Sequence, residues 1–118
     1  MMSKYLIFRT DRVGDFLLSL ILINSIKRND PSSHITLVAS KKNYEYIKSF
    51  HNIDYVYCYK EGLLNRINLI NSLRKIFFDF LILHDDKKRS KFISFFLKFN
   101  KKINFENTLN LTHIQIIQ

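Results

Sequence analysis

The chain has 118 residues, with 19 Lys and Arg against 10 Asp and Glu, a net charge of +9. That length suits one α/β domain and excludes two. Its 47% hydrophobic and 14% aromatic content excludes disorder, and the single cysteine, Cys58, excludes an internal disulfide. The charge admits an anionic partner, whether nucleic acid, anionic lipid or a phosphorylated substrate. A single alanine amid abundant Ile, Asn, Lys and Phe also fits AT-rich coding as the source of the lysines.

The pattern alternates strand and helix from the start. Residues 5–8 form a short apolar strand, residues 9–14 a polar turn, and residues 15–28 a helix. The helix stops ahead of Pro31, because proline disfavours helix in the residue before it. A second strand covers 34–39, and Ser40 caps a helix over 41–50. A third strand covers 54–59. Leu63, Ile67, Ile70, Leu73 and Phe77 recur at three- and four-residue steps, which predicts a helix over 63–77. Residues 80–83 are continuously apolar, as in a strand covered on both faces. A basic loop over 85–89, a helix over 90–99 and a short strand near 103–105 follow. One domain over 1–106 and a tail over 107–118 are expected.

Strands alternating with helices of this length imply βαβ units and a doubly wound parallel sheet of about five strands. Right-handed crossovers and the order 3-2-1-4-5 place strands one and four side by side. The turn over 10–15 and the loop over 84–89 then flank one crevice. The first helix is apolar around most of its circumference, so it needs burial on more than one side or a covering domain. Its apolar run over 16–26 is about half of what a bilayer span requires. Asp11 and Asp15 interrupt any basic leader, and a cytoplasmic location is expected.

Asp15 stands at the carboxyl edge of a strand and the start of a helix, where α/β proteins keep their chemistry. It reads either as a general base or as a helix cap or first-turn acid, and the spacing leaves both open. Gly14 allows a tight bend or the close approach of a ligand. With only Gly14 and Gly62 in the chain, no dinucleotide or P-loop glycine motif exists. His34, His51, His84 and His113 are scattered without ligand spacing, so neither a metal nor a cofactor is expected. His84 ends the fourth strand and can meet a ligand across the crevice, or serve as a hydrogen-bonded loop histidine. Cys58 reads as a small core residue. Lys87, Lys88, Arg89 and Lys91, with Lys98, Lys101 and Lys102 beyond, form the densest positive cluster. They suit phosphate groups of a ligand or an anionic leaflet, or are a solvated face. A nucleic-acid partner is not expected, because no aromatic-interleaved sheet or helix-turn-helix is evident.

The opening strand, then Arg9-Thr10-Asp11-Arg12-Val13-Gly14-Asp15 and a leucine-rich helix, resembles glycosyltransferase family 9. Asp30-Pro31, Asn52-Ile53-Asp54 before the third strand, Phe78-Asp79-Phe80-Leu81-Ile82-Leu83-His84 and Ser90 before an apolar helix continue the likeness in order, over about 4–113. The resemblance implies the amino-terminal, acceptor-side half of a GT-B fold in an inverting, heptosyltransferase-like enzyme of lipopolysaccharide core assembly. It implies Asp15 as general base, with Thr10, Asp11, Arg12 and Gly14 shaping the acceptor pocket; His84, by its place at the crevice, and Lys87 and Lys88, by their charge, join them as expected substrate contacts. The implied partners are a phosphorylated glycolipid acceptor, a nucleotide-sugar donor held by a domain not in this sequence, and the inner-membrane surface. A truncated or split product, inactive alone, is the matching expectation. Relatives commonly carry a glycine after the histidine, where this chain has Asp85-Asp86. Two other readings stand beside this one. One is a non-enzymatic basic α/β module for anionic lipid or a protein. The other is a receiver-like phosphate sensor, disfavoured because Tyr59-Lys60 replaces the aspartate it needs after strand three.

Overall fold

The computed structural model describes residues 3–10, 13–47, 52–85 and 87–104, without the side chains at 13–17, 42, 45, 46 and 104. In chain order the elements are β1 (Lys4–Arg9), α1 (Val13–Asn29), β2 (His34–Ser40), α2 (Lys41–Ile47), β3 (Tyr55–Tyr59), α3 (Leu63–Leu73), β4 (Phe77–Leu83), α4 (Lys88–Ser94) and β5 (Lys98–Asn104). The sheet order is β3-β2-β1-β4-β5, and every pairing is parallel. This is the doubly wound topology that the strand–helix alternation predicts, with β1 and β4 adjacent.

Each face of the sheet has its own core. On one, Tyr5, Ile7, Ile35, Leu37 and Ile82 pack with Leu22, Ile23 and Ile26 of α1 and Ile47 of α2. On the other, Leu6, Phe8, Val38, Leu81 and Leu83 pack with Leu69 and Leu73 of α3 and with Ile93 of α4. Central strands buried on both sides are uniformly apolar rather than alternating, which is why β1, β2 and β4 stand out in the sequence. Outside the apolar layers, Asp54 ties β2 down. Its Oδ2 accepts the Ile35 amide at 2.7 Å and Lys27 Nζ at 3.1 Å.

The boundaries differ from expectation in three places. α1 opens at Val13 rather than Asp15, so Gly14 and Asp15 lie within its first turn. α3 ends at Leu73, where the Arg74 amide closes on Ile70 O at 2.8 Å. Phe77, helical by spacing, instead opens β4, with Phe78 next to it. Phe78 is fully buried there and pairs with Phe99. Aromatic side chains fit a pleated surface, and the neighbouring strand satisfies backbone groups that another helical turn would have used internally. α4 stops at Ser94, and β5 begins at Lys98 rather than near Ile103. Ser40 behaves as expected: its Oγ accepts the Asn43 amide at 3.3 Å and caps α2. The tail over 107–118 lies outside the described residues.

Candidate functional site

The carboxyl edge of the sheet carries the polar residues, and they divide on either side of the end of β1. Toward β4 they form a closed seam. Arg9 is 2% exposed. Its Nε donates to Ser19 Oγ and its Nη2 to the His84 carbonyl, both at 2.8 Å. Ser19 Oγ lies 2.6 Å from His84 Nδ1. Burial, reinforced by the Arg9 charge, pushes the His84 pKa down to about 3, so the ring is neutral. Ser19 Oγ thus joins the Arg9 guanidinium to the His84 ring.

One residue further on, Asp85 gathers the turn. Its Oδ2 accepts the Thr10 amide at 2.9 Å, the Thr10 hydroxyl at 2.6 Å and the Ser90 hydroxyl at 2.7 Å. Its Oδ1 accepts the Lys87 amide at 3.2 Å, and its own amide donates to Phe8 O at 3.1 Å. Arg89 closes the ring from α4, donating from Nε to Thr10 Oγ1 at 2.9 Å and from Nη2 to Thr10 O at 2.6 Å. Charge-assisted bonds of this kind are the strong ones, and here they fix the chain just before it enters α1.

Toward β2 and β3 the same edge opens. A cavity of about 550 Å³ is lined by Thr10, Ser40, Lys41, Tyr59, Lys60, Glu61, Asn65 and Arg89. Arg89 is the shared wall: its guanidinium carbon lies 5.5 Å from the Tyr59 ring centroid. Lys41 reaches the rim because α2 follows β2 without a loop. Lys60 and Glu61 reach it because the turn into α3 is three residues long. Gly62 makes that turn possible at φ 109, a conformation strained for any side chain. Asn65 Nδ2 donates to Glu61 O at 2.7 Å and stiffens it. Three cations, one carboxylate and an aromatic floor suit a phosphorylated or carboxylated polar ligand.

The residues singled out in the sequence fall into different places. Thr10 lies on both the seam and the cavity. The backbones of Gly14 and Asp15 lie in the first turn of α1, at the carboxyl end of β1, while Asp11, Arg12 and the Asp15 side chain lie outside the described residues. His84, expected to reach across a crevice, is 3% exposed and works inside the seam. The described parts of the two loops touch through Thr10, Asp85 and Arg89. The cavity lined by described residues lies on the β2–β3 side of β1, and the rest of the expected crevice falls on residues outside the described ones. Lys87 and Lys88 are exposed at the amino end of α4, outside the cavity lining. Lys41, Tyr59, Lys60 and Asn65 were not singled out for this role. The available signal was their position directly after strands two and three, where open α/β sheets place ligands. Among the described residues no group of three His, Cys, Asp or Glu could hold a metal, and no helix is long and apolar enough to cross a membrane.

Neither a protein-family profile nor a curated relative matches the sequence. Solved structures do match. A glycosyl transferase family 9 structure from Veillonella parvula superposes with TM-score 0.73 at 18% identity, covering 92% of this chain and 34% of that one. The E. coli heptosyltransferase WaaC with ADP gives TM-score 0.71 at 13% identity, covering 88% of this chain and 37% of that one. The chain thus spans about a third of the length of the structures it matches. It has the Rossmann-like fold of one half of a GT-B glycosyltransferase, similar over about nine tenths of its length to family 9 and heptosyltransferase structures.

Proposed function

We propose that this chain is the acceptor-binding half of an inverting, heptosyltransferase-like glycosyltransferase acting on the lipopolysaccharide core. The observation that carries the reading is the cationic cavity at the carboxyl edge of a family 9-like sheet, with Thr10 joining it to the turn that leads to Asp15. In this reading Lys41, Lys60 and Arg89 hold phosphate or carboxylate groups of a phosphorylated glycolipid. Lys87 and Lys88 extend the same positive field, and Asp11, Arg12 and Gly14 shape the approach. Asp15 takes the proton of the acceptor hydroxyl as its oxygen attacks the anomeric carbon. The bond to the nucleotide diphosphate breaks on the opposite face, its electron pair leaving with the phosphate, and the configuration inverts. A donor-binding domain supplies the nucleotide sugar. Because positioning both reactants is most of what such an enzyme contributes, these 118 residues alone transfer nothing. The enzyme works in the cytoplasm, at the periphery of the inner membrane.

Two measurements test this. Amide resonances of Thr10, Lys41, Lys60 and Arg89 shift when the deacylated, phosphorylated acceptor is added; a spectrum unmoved at those residues removes the reading. Completed with the carboxyl-terminal domain of a family 9 transferase, the chain transfers heptose to the acceptor. Asp15→Asn lowers that rate by about 10²- to 10⁴-fold, and a variant of undiminished rate removes the general base.

A further inference from the structure

α4 is buried on one side and leads exposed aromatic rings out on the other. Its inner side, Ser90, Ile93 and Ser94, is buried against the sheet. Its outer side, together with the turn that follows, presents Phe92 at 50%, Phe95 at 80% and Phe96 at 44% exposure. The three rings form one patch, with Phe92 and Phe96 edge-on at 5.3 Å and Phe95 and Phe96 edge-on at 5.5 Å. An exposed aromatic cluster of this kind marks a contact surface rather than ordinary surface scatter.

The charge around it says what it contacts. Between residues 87 and 102 there are seven Lys and Arg and no Asp or Glu. Lys88 lies four residues before Phe92 and seven before Phe95, on the same helical stripe. Lys98, Lys101 and Lys102 are exposed on the adjoining edge strand β5. A phenylalanine patch in a segment rich in lysine and without a carboxylate matches a medium that offers apolar chains beneath a dense anionic layer. We infer that α4 and β5 form an interfacial docking surface for an anionic lipid bilayer, with Phe92, Phe95 and Phe96 entering the acyl boundary and the lysines facing the headgroups. Lysines on an edge strand also discourage strand pairing, but that role does not explain three rings held in water beside them. The surface rests on, and deepens, the membrane association named in the proposed function, while its test involves neither Asp15 nor sugar transfer, so the two readings can fail separately. α4 is about 10 Å long at seven residues, so docking its outer side also fixes how far the Arg89 end, and the cavity it lines, sits from the membrane.

The chain contains no tryptophan, so Phe95→Trp gives a single reporter. Its emission is expected to shift to the blue when the full chain meets vesicles of equimolar phosphatidylglycerol and phosphatidylcholine, and to stay in place with phosphatidylcholine alone. Co-sedimentation with the anionic vesicles is expected to fall about tenfold or more when Phe92, Phe95 and Phe96 are all changed to Ser. It also falls as salt rises from about 0.1 M to about 1 M. Lack of vesicle binding at low salt overturns the proposal, as does equal binding to neutral vesicles or binding indifferent to the three substitutions. A wild-type dimer that the same substitutions dissociate assigns the patch to a second copy and overturns it too. If the triple variant fails to fold, the emission of the Phe95→Trp variant decides alone.

Discussion

The two sides of the β1 terminus are built from similar residues and behave oppositely. On the β4 side, Arg9, Ser19, His84, Thr10, Asp85 and Ser90 spend their polar groups on one another, and burial excludes solvent. On the β3 side, Lys41, Lys60 and Glu61 surround an open volume. A cation with its donors committed holds a loop still; a cation at the rim of a cavity can take a ligand. The comparison shows that charge alone does not mark the site. Arg9 is the most buried of these cations and serves the frame, whereas Arg89 is held by Thr10 and still faces the cavity.

The largest effect that tests this contrast comes from the seam. Asp85→Asn puts an amide where one oxygen now accepts three donors. It should cost about 3 kcal/mol, since buried donors lose a charged acceptor. Urea unfolding measures it, and a loss below about 0.5 kcal/mol means that the seam is not holding the turn.

Acid should act on the same side with a smaller effect. His84 is held neutral with a pKa of about 3, whereas an unfolded histidine titrates near ~6.5. Below that pH the unfolded chain takes up a proton that the folded chain refuses. The stability that His84 confers is therefore complete above about pH 6.5 and lost as pH falls toward 3, at roughly 1.4 kcal/mol per unit, or about 2 kcal/mol by pH 5. His84→Gln should flatten that limb of the curve; the same slope in both proteins would assign it elsewhere. Asp54 does not confuse the measurement. Burial opposes its ionisation, but the Ile35 amide and Lys27 outweigh this and hold its carboxyl below its usual value. Its contribution fades only below about pH 4.

The open side should respond in affinity and hardly in stability. Lys60→Gln is expected to weaken binding of the deacylated phosphorylated acceptor about threefold, through loss of one partly screened charge. Glu61→Gln removes the carboxylate from the cavity lining and should strengthen binding about twofold. The Glu61 pairing with Arg66 spans 3.8 Å between exposed groups, so stability should stay within about 0.5 kcal/mol. Titration calorimetry reads both substitutions, and a Lys60→Gln protein that binds unchanged would place the anion site elsewhere.

Much of this architecture could be read along the chain. Apolar runs at 5–8, 34–39 and 80–83 announce strands covered on both faces, and the helices between them force parallel pairing. Right-handed crossovers then leave few orders besides β3-β2-β1-β4-β5. The position of Asp15 and Thr10 at the end of the first strand followed from the same pattern. Periodicity records which side of a segment is apolar, but not which partner takes each backbone hydrogen bond. Phe77 fits helix spacing equally well, yet it pairs with Lys98 of β5 and belongs to β4. Only packing could neutralise His84, because its burial depends on Arg9 and Ser19 arriving from 75 and 65 residues away. The polar contrast across β1 was likewise a tertiary decision: Asp85 met Thr10 on one side, while Lys41, after β2, and Lys60, after β3, came together around a cavity on the other.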